Sequence, residues 1–219
     1  MQQKKTLAEK FLTPAEQQQV TEVVQEVERT TSGEIVPMIV SRSHDYPTAA
    51  VSCTVSMVLP LALLLTNLIG ERIWIGANNM WLFLALFAGC HALLYPLVKR
   101  SDRLNSFFLN HRQAEQEVEK GALSAFYTEQ LNKTRDANGI LLYISVMEQK
   151  VWILGDAGIN ALIDQVEWDS VVDALTAGIK DGTAADALCV AVRRVGHILQ
   201  THFPYQKDDT DELHNLIVR

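Results

Sequence analysis

The chain has 219 residues with 19 Lys and Arg against 26 Asp and Glu, a formal net charge of −7. It therefore lacks the basic footprint that nucleic-acid binding requires. Its three cysteines, Cys53, Cys90 and Cys189, form no CxxC and keep no regular spacing, which excludes a disulfide framework and suits a reducing compartment.

The opening MQQKKTLAEKF is basic, and no apolar run follows it, so it does not read as a cleavable signal peptide. Thr13, Pro14 and Glu16 spell a helix start: a capping hydroxyl, a proline suited to the first turn, and an acid that completes a capping box. Val20, Val23, Val24 and Val27 then share one face, and Ser32-Gly33 reads as the stop. Residues 34–40, EIVPMIV, are apolar on both faces, as expected of a strand covered on both sides. Pro37 cannot donate to a ladder and so argues for an edge position or a bulge.

Two apolar runs follow. Thr48 to Gly70 holds no charged residue, and at 1.5 Å per residue its 23 positions give roughly 34 Å of helix. Met80 to Val98 is similar, with His91 as its one ionisable group. The pattern predicts a transmembrane hairpin over 48–98, with spans 48–70 and 80–98. Trp74 and Trp81 would lie at one water interface, Tyr46 and Tyr95 near the other. Arg42 precedes the first span and Lys99, Arg100 and Arg103 follow the second, while the loop carries only Arg72. The positive-inside rule then puts both termini in the cytoplasm of a multi-pass protein of the cell (inner) membrane.

A helical region follows over about 104–133, with Gly121 as its expected break. Ile140 to Val146 and Lys150 to Leu154 read as two strands joined by a tight turn. Helices are expected over 159–165, 169–180 and from a Thr183 cap to about His202, where Pro204 closes the last. Residues 205–219 read as an acidic tail with a small apolar end, expected to be mobile. The sum is an α/β sandwich: helices around a small mixed sheet of three or four strands, interrupted by the hairpin.

The stretches FLTPAEQQQV, TTSGEIVPMIV, LNKTRDANGILLYISVMEQKVWILGDAGI and VGHILQTHFP resemble the TPM-domain family, in its bacterial membrane type with two spans inside the domain. The resemblance covers about 8–204. It implies one cytoplasmic α/β domain made of 8–47 and 99–204. Plant relatives are associated with photosystem maintenance and an acid phosphatase activity, an animal relative modulates receptors, and several members bind calcium through acidic loops. The resemblance thus implies a divalent cation such as calcium as a possible cofactor.

The sequence carries no GxxxxGK[ST], GxGxxG after a strand, HExxH, GxSxG or EF-hand loop. Asp156 in GDAG follows a strand's carboxyl end, a place where α/β sheets hold ligands, and is the weak metal candidate; the alternative is a cap for the next helix. Glu34 opens the first strand and faces the same crevice, pairs with Arg135, or is simply a solvated strand end. Arg135 is suited to gripping a phosphate or carboxylate, or to a structural ion pair. The resemblance favours a shared role for Glu34, Thr134 and Arg135. His91 is a polar group within a span, either functional or bonded to the other helix. Asp164, Glu167, Asp169 and Asp173, and the tail acids Asp208, Asp209, Asp211 and Glu212, read as solvated.

Two functions compete. One is a membrane-anchored interaction module for assembly or maintenance of a membrane protein complex, its partners the lipid bilayer and either itself or another membrane protein. The other is a phosphatase-like, metal-dependent hydrolase using Asp156 and Arg135. The first is preferred, since hydrolysis normally needs a metal cluster or an activated nucleophile.

Overall fold

The structure is a computed structural model that describes residues 6–72, 74, 79–205 and 213–219, with backbone alone at 102 and 103. The chain divides into two compact units, one built from Met1–His44 and Glu115–Arg219, the other from Asp45–Ala114.

The first unit contains helices α1 (Leu7–Phe11) and α2 (Pro14–Glu28) and strand β1 (Glu34–Val40). After the second unit, which holds α3 (Pro47–Arg72), α4 (Met80–Lys99) and α5 (Asp102–Phe107), come α6 (His111–Thr128), a 3-10 turn at Leu131–Lys133, and strands β2 (Gly139–Ser145) and β3 (Lys150–Gly155). Helices α7 (Ala157–Asn160), α8 (Gln165–Lys180) and α9 (Ala184–His202) follow, and β4 (Ile217–Val218) closes the sheet. Strand order is β3-β2-β1-β4, with β1 parallel to β2 and β4, and β2 antiparallel to β3.

Alternation explains the layers. In β1, Ile35 and Ile39 join Ile140, Leu142 and Ile144 of β2 against α2, α8 and α9. Val36, Met38 and Val40 join Leu141 and Tyr143 against Val118, Ala122 and Phe126 of α6. Each strand side chain so buried stabilises the fold by about 1.5–3 kcal/mol. The capping boxes at Thr13/Glu16 and Thr6/Glu9 both form.

Pro37 sits in an interior strand, yet its missing donor costs no ladder bond. Even-numbered residues of β1 turn their backbone groups to β2: Glu34 N–H donates to Asn138 O and Val40 O accepts from Val146 N–H. Odd-numbered ones turn the other way, where Ile39 O accepts from Arg219 N–H and Ser41 N–H donates to Arg219 O. Pro37 is odd-numbered, and β4 pairs only with Met38 and Ile39, so Pro37 faces a locally open edge. At the same edge Ile35 N–H donates to the Glu28 carboxylate at 3.1 Å.

Several boundaries differ from expectation. Helix α2 stops at Glu28 rather than at Ser32-Gly33. Helix α6 runs unbroken through Gly121, and the interruption falls instead between Phe107 and His111. A Cβ at Gly121 would stand 2.8 Å from the Tyr143 hydroxyl, so this glycine serves helix–sheet approach, not helix breakage. The expected helix at 159–165 is the single turn α7, and α8 begins at Gln165. Thr183 makes no side-chain cap; its hydroxyl donates to Gly178 O at 3.1 Å. The apolar end expected to be mobile is β4; the acids of 208–212 lie outside the described residues.

In the second unit α3 buries Ala50, Thr54, Val58, Ala62, Thr66 and Gly70 at four-residue spacing, a stripe of small side chains that lets a neighbouring helix approach closely. Thr54 and Thr66 return their hydroxyls to Ala50 O and Ala62 O, both at 2.7 Å. The remaining surface is apolar and exposed, with Met57, Leu59, Leu63, Leu64 and Leu68 on α3 and Trp81, Leu84, Leu93 and Leu97 on α4. Both helices are long and apolar enough to cross a membrane, and only 33% and 6% of their most apolar windows are buried. A soluble core helix is mostly buried, so these proportions weigh against that role.

Candidate functional site

Glu34, Thr134, Arg135 and Asp156 all lie at one end of the sheet, where β1 and β2 begin and β3 ends. Register sets them there: Glu34 pairs with Gly139, Gly155 pairs with Ile140, and Asp156 N–H donates to Gly139 O at 2.9 Å. This is the amino end of the two parallel strands. The rule that ligands bind beyond strand carboxyl ends applies to parallel strands, and β3 is antiparallel to its neighbour. The strand-end argument for Asp156 therefore does not hold.

Asn138 organises this end. Buried itself, it gives its amide to Ser32 O, donates its backbone N–H to Thr134 Oγ1 at 3.1 Å, and its carbonyl accepts from Glu34 N–H at 3.3 Å. Thr134 thus holds a turn, with Ala137 N–H bonded to its carbonyl at 3.2 Å. Arg135 is 45% exposed and pairs with Asp136 at 3.5 Å. Asp156 caps α7, one oxygen accepting from Ala157 N–H at 2.7 Å, while its other oxygen is buried. Gly158 is pressed so close to the 136–137 backbone that a Cβ would lie 2.7 Å from Ala137 O. A cavity of about 390 Å³ opens beside Glu34, lined by Gln25, Glu28, Arg29, Thr31, Gly33 and Tyr205. Its walls come from the end of α2, the β1 approach and Tyr205 beyond α9, not from the Arg135 or Asp156 loops. Among the described residues no three His, Cys, Asp or Glu side chains converge to hold a metal ion.

The opposite end, at the carboxyl termini of β1 and β2, carries a polar network that the sequence reading did not single out. Ser43 donates its hydroxyl to Ser145 Oγ at 3.0 Å, and Ser145 donates to the Glu148 carboxylate. Glu148 also accepts from Ser43 N–H at 2.9 Å. Since the Ser43 proton is committed to Ser145, the 3.2 Å contact with Tyr143 has the phenol donating. The chain of hydroxyls therefore runs Tyr143 to Ser43 to Ser145 to Glu148, and ends on a charge. Burial raises the Tyr143 pKa; the Ser43 hydrogen bond opposes that and the Glu148 charge adds to it. An open cleft of about 420 Å³ lies beside the phenol, walled by Ser43, Gly121, Ser124, Thr128 and the Glu117–Lys120 pair, which meets at 2.8 Å. The Lys120 hydrogen bond holds the Glu117 carboxyl below its ordinary range, helped by charge from Lys120 and His44. Geometrically this end rather than the other matches the usual ligand position of a parallel sheet.

His91 lies apart, on α4. Its ring stacks between Phe87 and Tyr95, with centroids 6.1 and 5.7 Å away, and its buried Nδ1 makes no hydrogen bond. The expected alternative, a bond from the ring to the other helix, is not made through Nδ1.

The fold is similar to the NMR structure of the BA42 protein from the psychrophilic bacterium Bizionia argentinensis, with a TM-score of 0.58 at 21% identity over 95% of this chain and 94% of that one. No curated protein matches the chain. The family model of the TPM domain matches residues 105–198, a segment that runs from α5 through α6, β2, β3, α7 and α8 into α9. Residues 105–198, somewhat under half of the chain, are therefore similar to a TPM domain.

Proposed function

We propose that this chain is a bilayer-anchored TPM-domain protein whose α/β unit serves as an interaction module for a membrane protein complex. The observation that carries the reading is the outward apolar surface of α3 and α4. They are 26 and 20 residues long, about 39 and 30 Å of helix, and the hydrocarbon layer needs roughly 30 Å. The basic residues before α3 and after α4 favour a cytoplasmic α/β unit at the inner membrane. A hydrolase using Asp156 and Arg135 is less favoured, because Asp156 spends one oxygen on a helix cap and the cavity beside Glu34 draws its walls from elsewhere.

The anchor is tested by lysis without detergent followed by ultracentrifugation and an alkaline wash. The protein is expected in the washed pellet, and recovery in the supernatant refutes the reading. The interaction role is tested by cross-linking in native membranes, where a specific adduct is expected and monomer alone refutes it.

A further inference from the structure

Helix α5 follows α4 after a single turn, Ser101 N–H donating to Val98 O at 2.9 Å. Among its described side chains the usual burial pattern is inverted. A surface helix in water turns its polar residues outward and its apolar ones inward. Here Asn105 is 5% exposed, whereas Leu104 is 40% and Phe107 86% exposed. The orientation is fixed: the Asn105 amide donates to Lys99 O at 3.3 Å, closing the carboxyl end of α4. Phe108 packs edge-on against Phe107 with centroids 5.6 Å apart, so the outward aromatic is braced. Lys99 and Arg100, both exposed, stand at the junction.

We infer that α5 is a headgroup-layer helix for an anionic bilayer, with Leu104 and Phe107 set below the phosphates and Lys99 and Arg100 paired with them. This rests on the anchoring reading above and adds to it a lipid class and a contact surface. Three features select lipid as the occupant: α5 follows directly in the chain on α4, whose surface is exposed and apolar, the cations lie between the two helices, and aromatic side chains suit the interface.

The test is hydrogen exchange by mass spectrometry on the full chain in nanodiscs, of phosphatidylcholine alone or mixed equally with phosphatidylglycerol. Amides of 102–109 are expected to exchange about thirtyfold more slowly in the anionic discs, the order that two basic side chains supply at such a surface. Phe107→Ser, and separately Lys99→Gln with Arg100→Gln, should each abolish that difference and leave α3 and α4 protected. Equal rates in both lipids with α3 and α4 protected overturn the inference and leave the anchor standing. Rapid exchange throughout α3 and α4 overturns both. Slowing that tracks the number of chains per disc, not lipid charge, assigns the face to a second copy and also overturns it.

Discussion

Replacing Glu148 by alanine removes the acceptor on which the hydroxyl chain ends. Ser145 is fully buried, so its proton would lose its partner with no water to replace it, and the Ser43 N–H would lose its 2.9 Å bond. Hydrogen bonds to a charged group contribute about 1.5–3 kcal/mol each, and an orphaned buried donor costs about 1–3 kcal/mol. The two losses overlap, so the expected destabilisation is about 3 kcal/mol. For a folding unit of this size that is a fall in Tm of roughly 6–12 °C. Urea unfolding in mild detergent, followed through near-ultraviolet circular dichroism, reads it directly. Ser145→Ala in the Glu148→Ala background should add little, since both act on one network, whereas independent sites would add in full. A Glu148→Ala cost within about 0.5 kcal/mol of zero, or full additivity, would refute the directed chain of hydrogen bonds.

Other consequences are as direct. A Cβ at Gly196 would lie 2.0 Å from Val27 Cγ1, so Gly196→Ala should cost about 1–3 kcal/mol, and Val27→Ala should recover part of it; simple additivity in the same urea titration would count against the α2–α9 contact. Folding favours protonated Tyr143, whose pKa is raised above the ordinary 10.0; its contribution is complete below that value and lost as pH climbs through the raised one. Ultraviolet titration should show a phenolate appearing above the ordinary range, and Tyr143→Phe should remove that late step. Thr13→Ala should destabilise by about 1 kcal/mol by opening the α2 capping box. The Thr13 backbone N–H, which Thr13→Ala keeps, is the main cause that lowers the Glu16 pKa, so the carboxylate's share is present above the ordinary 4.5 and fades in acid; a Glu16→Ala cost that stays undiminished in a thermal melt at low pH would contradict this.

Much of the architecture was legible because it rests on period and composition. Strands apolar on both faces announced a covered sheet, the valines of α2 announced its buried face, and Thr13, Pro14 and Glu16 announced its start. What escaped depended on register or direction. Ile217 and Val218 bond by backbone to a strand far upstream, and no local pattern in two residues after an acidic run signals that. Ser43, Tyr143, Ser145 and Glu148 meet only once β1 and β2 are aligned with Val40 opposite Ser145. A usable signal was present: Tyr143 and Ser145 are polar interruptions on one face of an apolar strand, with an acid three residues on. The strand-end argument for Asp156 failed for the converse reason, since a strand's carboxyl end can be named from sequence but its direction relative to its neighbours cannot.

The register of β1 also bears on how the molecule is made. All seven residues of that strand end up hidden, but the β2 positions that will cover one side leave the ribosome about a hundred residues later, after α3 and α4. β4 arrives later still. During synthesis a greasy, unpaired ribbon must wait while two apolar helices are made, and it is a ready template for mispairing with other chains. Pro37 and the lateral Glu28 contact give that waiting edge one missing donor and one occupied donor, which makes it a poor mould for a stranger's strand.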